Sequence, residues 1–168
     1  MINNIGKKEF NLKDILRKNI FTSLIILLCF FIDRLTKIQI LKLNPDINKI
    51  FINDYVNIDL VWNTGIGFGL LSLNSNFFYH LVSIVIFVII VFIFFLMIKS
   101  NIFEKYFYAI IIGGAIGNFY DRVVYFAVPD FIDLHYKDFH WFTFNFADIF
   151  ITLGVILILI YEILLKND

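Results

Sequence analysis

No charged residue interrupts the stretch from Ile20 to Ile32, and after Asp33, Arg34 and Lys37 the apolar pattern resumes at Ile38–Leu41. A second stretch, Phe77 to Ile98, has only His80 and Ser83 as polar interruptions. A third, Tyr106 to Tyr120, contains Gly113, Gly114 and Gly117, and a fourth, Phe144 to Leu165, holds Asp148 and Glu162. At about 1.5 Å per residue, about 20 helical residues cross the roughly 30 Å hydrocarbon core of a bilayer. The pattern therefore predicts a membrane α-helical fold of four transmembrane helices, over about 20–38, 77–98, 106–124 and 144–165. Between the first two, Val56-Asn57-Ile58-Asp59-Leu60 alternates with a period of two, and Asn63-Thr64-Gly65 reads as a turn. That predicts a small extracytoplasmic β-sheet in the first outer loop. No repeat or low-complexity linker divides the chain, so residues 1–168 are expected to form a single domain, with 1–19 as a cytoplasmic tail.

Composition strengthens this picture. Of 168 residues, 60% are hydrophobic, 22 are Phe, and the mean hydropathy is +0.83. A soluble domain of this length could not bury so much apolar surface. Fourteen basic residues balance fourteen acidic ones, and no basic run is interleaved with aromatics, so nucleic-acid binding has no support. The placement of the charges is more informative than their sum. Lys7, Lys8, Lys13, Arg17 and Lys18 precede the first span, Lys99 and Lys105 lie between the second and third, and Lys166 follows the fourth. The positive-inside rule then puts both termini in the cytoplasm and the two longer loops outside. The basic start and first apolar run look like a signal peptide, but no small-x-small cleavage site follows, so an uncleaved helix is expected. Cys29, the only cysteine, follows bulky Ile26, Leu27 and Leu28 and reads as a buried apolar residue.

With this topology the unusual polar residues gather at the outer side: Asp33, Arg34 and Lys37, then Asn63, then Asn118, Asp121 and Arg122, then Asp130, Asn145 and Asp148. Several have ordinary structural explanations. Asp33 and Lys37, spaced i,i+4, suit an ion pair, and Gly113-x-x-x-Gly117 suits close helix packing. Asp54, Asp59, Asp133 and Asp138 read as solvated loop acids. His80, His135 and His140 have no metal-ligand spacing, so no metal is expected.

Asp148 resists such a reading. It lies about one turn inside an apolar span, where an ionised carboxylate costs at least about 2.5 kcal/mol. Its helical neighbours Phe144, Asn145, Ile151 and Thr152 supply no cation. Asp130 is the other notable acid, set in the apolar Val128-Pro129-Asp130-Phe131-Ile132. Two carboxylates meeting at a membrane interface would share a proton, giving a general base and a general acid together. Intramembrane acids also mark ion relays in transporters or pair with another chain's cation in assembly subunits. A relay, however, predicts acids near the midplane rather than gathered at one face.

Five segments in order, FIDRLTK (ending at Lys37), VWNTGIGFG (with Asn63), GGAIGNFYDR (ending at Arg122), VPDFID (with Asp130) and FNFAD (ending at Asp148), resemble the lipoprotein signal peptidases, or signal peptidase II, over about residues 20–165. The resemblance implies an aspartyl endopeptidase of the bacterial inner membrane, with Asp130 and Asp148 as the catalytic pair. It implies supporting or substrate-binding roles for Asn63, Asn118, Asp121, Arg122 and Asn145, with Asp33 and Lys37 structural. The implied substrate is a prolipoprotein in the lipid bilayer, cut just before a diacylglyceryl-modified cysteine. No metal or organic cofactor is implied, and a monomer is expected. The chain departs from the family pattern at Ile66-Gly67, at Phe126 (where glycine is common), at Pro129 and at Phe142. Pro129 removes a backbone N–H beside the proposed catalytic residue.

Overall fold

The computed structural model describes residues 12–43, 49–65 and 76–164, the side chains of 12–18 and 76–78 excepted. Most of the expected tail, the Ile66–Gly69 part of the second motif, Leu165 and Lys166 lie outside the described residues. Four helices, α1 (Leu12–Leu41), α2 (Asn76–Lys99), α3 (Ile102–Tyr125) and α4 (Phe146–Leu164), carry an antiparallel sheet of β1 (Lys49–Phe51), β2 (Val56–Asn63), β3 (Val128–Tyr136) and β4 (Phe139–Phe144). The strands follow the order β1-β2-β3-β4. Each helix overlaps a stretch expected to span the membrane, with ends displaced by a few residues. The largest difference is at α1, whose helical pattern starts eight residues earlier, at Leu12.

The sheet differs more. Only half of it comes from the first outer loop, because residues 128–143, expected to be loop, and Phe144, expected to open the fourth span, form β3 and β4. Burial explains the difference. Val128, Pro129, Asp130 and Phe131 are all buried, so the first half of β3 lacks the apolar–polar alternation by which a half-exposed strand is read, although Ile132–Tyr136 alternates. Pro129 is thus a strand residue, opposite Trp62, and costs β3 one ladder donor. A register shift in the β2–β3 pairing between Ile58 and Val61 sets Val61 opposite Asp130 and Asn63 opposite Val128.

α3 is the central helix, packed against α1, α2 and α4. Asn101 caps its start, its side-chain oxygen accepting from the N–H groups of Phe103 (3.0 Å) and Glu104 (3.1 Å). It ends on Phe126 in the left-handed region, φ 56°, a conformation glycine adopts at least cost. Small residues let the helix axes close up on both sides. A Cβ on Gly113 would stand 2.7 Å from the backbone oxygen of Ile26 in α1, and one on Gly114 would stand 2.5 Å from that of Ala147 in α4.

The surface is apolar and the interior polar. Leu28, Phe31 and Leu35 of α1, Ile84, Val88 and Phe92 of α2, and Leu159 and Ile163 of α4 are all more than half exposed. Asp33, Lys37, Asp121 and Asn145 are fully enclosed. That inversion suits lipid as the surrounding solvent. Among the described residues, two helices are by length and hydropathy long and apolar enough to cross a bilayer, at Tyr79–Lys99 and Phe146–Leu164.

Candidate active site

Where α1, α3 and α4 meet beneath the sheet, the buried Lys37 ammonium donates to three acceptors. They are Asp33 Oδ2 at 2.8 Å, Asn118 Oδ1 at 2.9 Å and Asp121 Oδ2 at 2.7 Å. An ammonium has three donors, and all three are used. The second oxygen of Asp33 accepts from the Ala147 N–H at 3.0 Å, at the start of α4. The second oxygen of Asp121 pairs with Arg34, whose guanidinium lies 4.6 Å from the ring centre of Tyr120. The Asp33–Lys37 ion pair expected from spacing is present, but as part of a network that ties α1 to α3 and α4.

That network positions Asn118. With its oxygen held by Lys37, its amide nitrogen donates to Asp148 Oδ1 at 2.8 Å. The other Asp148 oxygen accepts from the Asn145 backbone N–H at 3.2 Å, while the Asn145 side-chain oxygen accepts from the Asp148 N–H at 3.1 Å. This reciprocal pair is a capping box opening α4, with Asp148 in the acidic position. The Asn145 amide nitrogen meanwhile donates to Asp130 Oδ1 at 2.6 Å. On the other side of that carboxyl, Asn63 Nδ2 donates to Asp130 Oδ2 at 2.9 Å. The Asn63 oxygen accepts from the Gly65 N–H at 2.9 Å, and Arg122 donates to the carbonyls of Gly65 and Asn118, each at 3.2 Å.

Both carboxylates line one cavity of about 180 Å³, together with Asn63, Asn118, Arg122 and Thr152. A water occupies about 30 Å³ of liquid, so the space admits a peptide group and a water. Asp130 is 3% exposed. Burial, and then the neighbouring charge of Asp148, push its carboxyl up to about 6, against hydrogen bonds from Asn63 and Asn145 and the charge of Lys37. Two acids in one cavity, one with its proton held to near-neutral pH, can remove a proton from water and supply one to a carbonyl oxygen.

A family model described as signal peptidase (SPase) II matches residues 25–164. The chain belongs to the signal peptidase II family. A lipoprotein signal peptidase of Pelagibacter ubique is 50% identical over 153 residues, covering 89% of this chain and 92% of that one. One from Dichelobacter nodosus is 41% identical over 145 residues, covering 83% and 92%. A solved bacterial membrane enzyme superposes with a TM-score of 0.69 at 32% identity, covering 88% of each chain. A second reaches 0.68 at 31% identity, covering 86% of this chain and 93% of the other. This signal peptidase II is accordingly a bacterial membrane aspartic endopeptidase that removes signal peptides from prolipoproteins.

All nine residues singled out from the sequence of this signal peptidase II lie in the two connected clusters. Two positions have a part that the sequence reading does not give them. Arg34 completes the pairing of Asp121, and its signal was present, since it sits between Asp33 and Lys37 in the same polar break of the first span. The Gly65 carbonyl, which holds Arg122, had no side-chain signal. Asp133 corrects an expectation: it is 2% exposed, accepting from Asn57 and His140 rather than from solvent.

Proposed function

We propose that Asp130 and Asp148 are the catalytic pair of this peptidase. The observation that carries this reading is their shared cavity, bridged through Asn145, which contacts both carboxyl groups. One carboxylate takes a proton from water as the hydroxide adds to the scissile carbonyl carbon, and the other carboxyl protonates the carbonyl oxygen. Collapse of the tetrahedral diol breaks the C–N bond as a proton passes to the leaving amine, and both acids return to their starting state. Arg122 lines the same cavity with its Nε–H unpartnered among the described residues, a donor suited to a substrate carbonyl. Asn63, Asn118 and Asn145 orient the acids, while Asp33, Lys37 and Asp121 hold the helices that carry them.

The same reading makes residues 1–168 one domain whose four helices all span the inner membrane, with both termini cytoplasmic and the sheet outside. The pattern of basic residues supports this orientation. A prolipoprotein enters from the bilayer as a monomeric enzyme's substrate and is cut before its diacylglyceryl-modified cysteine. The test is incubation of purified protein with a lipidated precursor, with Asp130→Asn and Asp148→Asn as folded controls. Both variants are expected to lose cleavage, and a fully active Asp148→Asn enzyme would end the proposal.

A further inference from the structure

A second polar cluster lies at the far end of the sheet. Asp133 accepts from His140 Nδ1 at 2.8 Å and from Asn57 Nδ2 at 3.3 Å. Beside it, His135 is only 5% exposed, yet among the described residues neither ring nitrogen has a hydrogen-bond partner. The side-chain oxygen of Asn57, a residue 2% exposed, is also unpartnered among the described residues. Leaving such groups buried and unpaired is costly, and both residues line a cavity of about 720 Å³.

The orphan groups define the chemistry of an occupant. Asn57 offers an acceptor, and a neutral imidazole offers one donor and one acceptor. This set matches the N–H and C=O groups of a peptide chain. The cavity rim sets Lys49 and Lys137 against Asp54 and Asp138, so no excess of one charge selects an ion. Among the described residues no group of three His, Cys, Asp or Glu side chains could hold a metal.

The sheet connects this cavity to the dyad. His135 lies five residues beyond Asp130 on β3, about 17 Å at the rise of an extended strand. Side-chain alternation puts the two residues on opposite faces, so a chain joining them must also go round the edge strand β4, one strand spacing of about 4.8 Å out and one back, about 10 Å in all. About eight extended residues cover that path. We propose that the His135–Asn57 cavity binds the mature part of the substrate, about eight residues past the scissile bond, as an anchoring site separate from the dyad. The proposal rests on the assignment of Asp130 and Asp148 above.

The test uses the full-length enzyme and two lipidated precursors with the same signal peptide, one ending about four residues after the cleavage point and one about fifteen. The wild-type enzyme should show a lower KM for the longer precursor. His135→Ala should raise that KM roughly five- to twentyfold, as expected from losing one or two net hydrogen bonds, with kcat unchanged. Cleavage of the short precursor should be unaffected, which also reports that the variant is folded. Equal KM values for the two precursors in the wild type, or an equal loss on both in the variant, would overturn the proposal. If His135→Ala does not fold, the His135 ring ¹⁵N resonances of the wild type should shift when a peptide of mature residues eight to fifteen is added; unshifted resonances would likewise refute it. Failure of the dyad assignment reads differently, as cleavage surviving in Asp148→Asn.

Discussion

Asn145 donates its side-chain amide to Asp130 at 2.6 Å, the shortest amide contact in the candidate site. A donor to the ionised form favours that form, so removing it should raise the Asp130 carboxyl further. Asn145→Ala is therefore expected to lower kcat at least about tenfold, consistent with loss of orientation at a reacting group. The same change deletes the cap of α4, at about 1 kcal/mol of stability. Rate–pH profiles should show the alkaline limb moved to higher pH, and an unmoved limb would mean that this contact does not tune the acid.

The Asp130 carboxyl itself, held at about 6 by burial and by Asp148, sets a second expectation. The enzyme needs one proton on the pair, so activity should fall as pH rises through and above about 6. Carbon-13 NMR of the Asp130 carboxyl in Asp148→Asn should give a lower pKa, because the repulsion is gone, yet one still above the ordinary 3.8 because burial remains. The folded state binds this proton more tightly than the unfolded chain does. Its contribution to stability is thus complete below about 3.8 and is lost as pH rises through 6. Melting temperatures in detergent should show that loss in the wild type and not in Asp130→Asn.

Lys37 is the third case. It is wholly buried between two acids and an amide oxygen, and among the described residues deleting it leaves Asp33 with no paired cation and Asp121 with Arg34 alone. Loss of one member of a buried ionic network costs about 3–5 kcal/mol. Lys37→Met should melt far below the wild type, and Lys37→Met/Asp33→Asn should recover part of the difference because one orphan charge is removed. A double variant no more stable than the single one would show that the ion pair carries little of the coupling.

These residues also show what the sequence could reveal. Asp33 and Lys37 were legible because i,i+4 spacing is a local rule, and Asp148 because a carboxylate without a local cation inside an apolar span demands an explanation. The pairing of Asp130 with Asn63 and Asn145 was not legible from spacing. It depends on β3 lying beside β2, and the Val128–Phe131 half of β3, buried on both faces, carries no alternation to mark it as a strand. Asp133 departs from expectation because of its neighbouring strands: in a loop it would be solvated, whereas in β3 it faces Asn57 and His140. Phe126 shows the opposite case. Its occupation of a position where glycine is common was visible, and its φ of 56° supplies the reason that glycine suits the site.

The glycines of the α3–α4 contact separate stability from catalysis. A Cβ on Gly114 would meet the Ala147 backbone oxygen at 2.5 Å, next to Asp148, while one on Gly154 would meet the Phe107 backbone oxygen at 2.9 Å, farther down the same helix pair. Either alanine forces the helices apart, at about 1–3 kcal/mol for an overpacked contact. Only Gly114→Ala moves the residue that positions the carboxylate, and displacement of about 1 Å at a reacting group costs on the order of 100-fold in rate. Gly114→Ala should therefore lose most of its kcat, while Gly154→Ala, similarly destabilised by thermal melting, keeps the greater part of its activity. Equal losses of activity would mean that α4 shifts as a rigid rod, and that Asp148 is held by the whole helix pair rather than by its first turn.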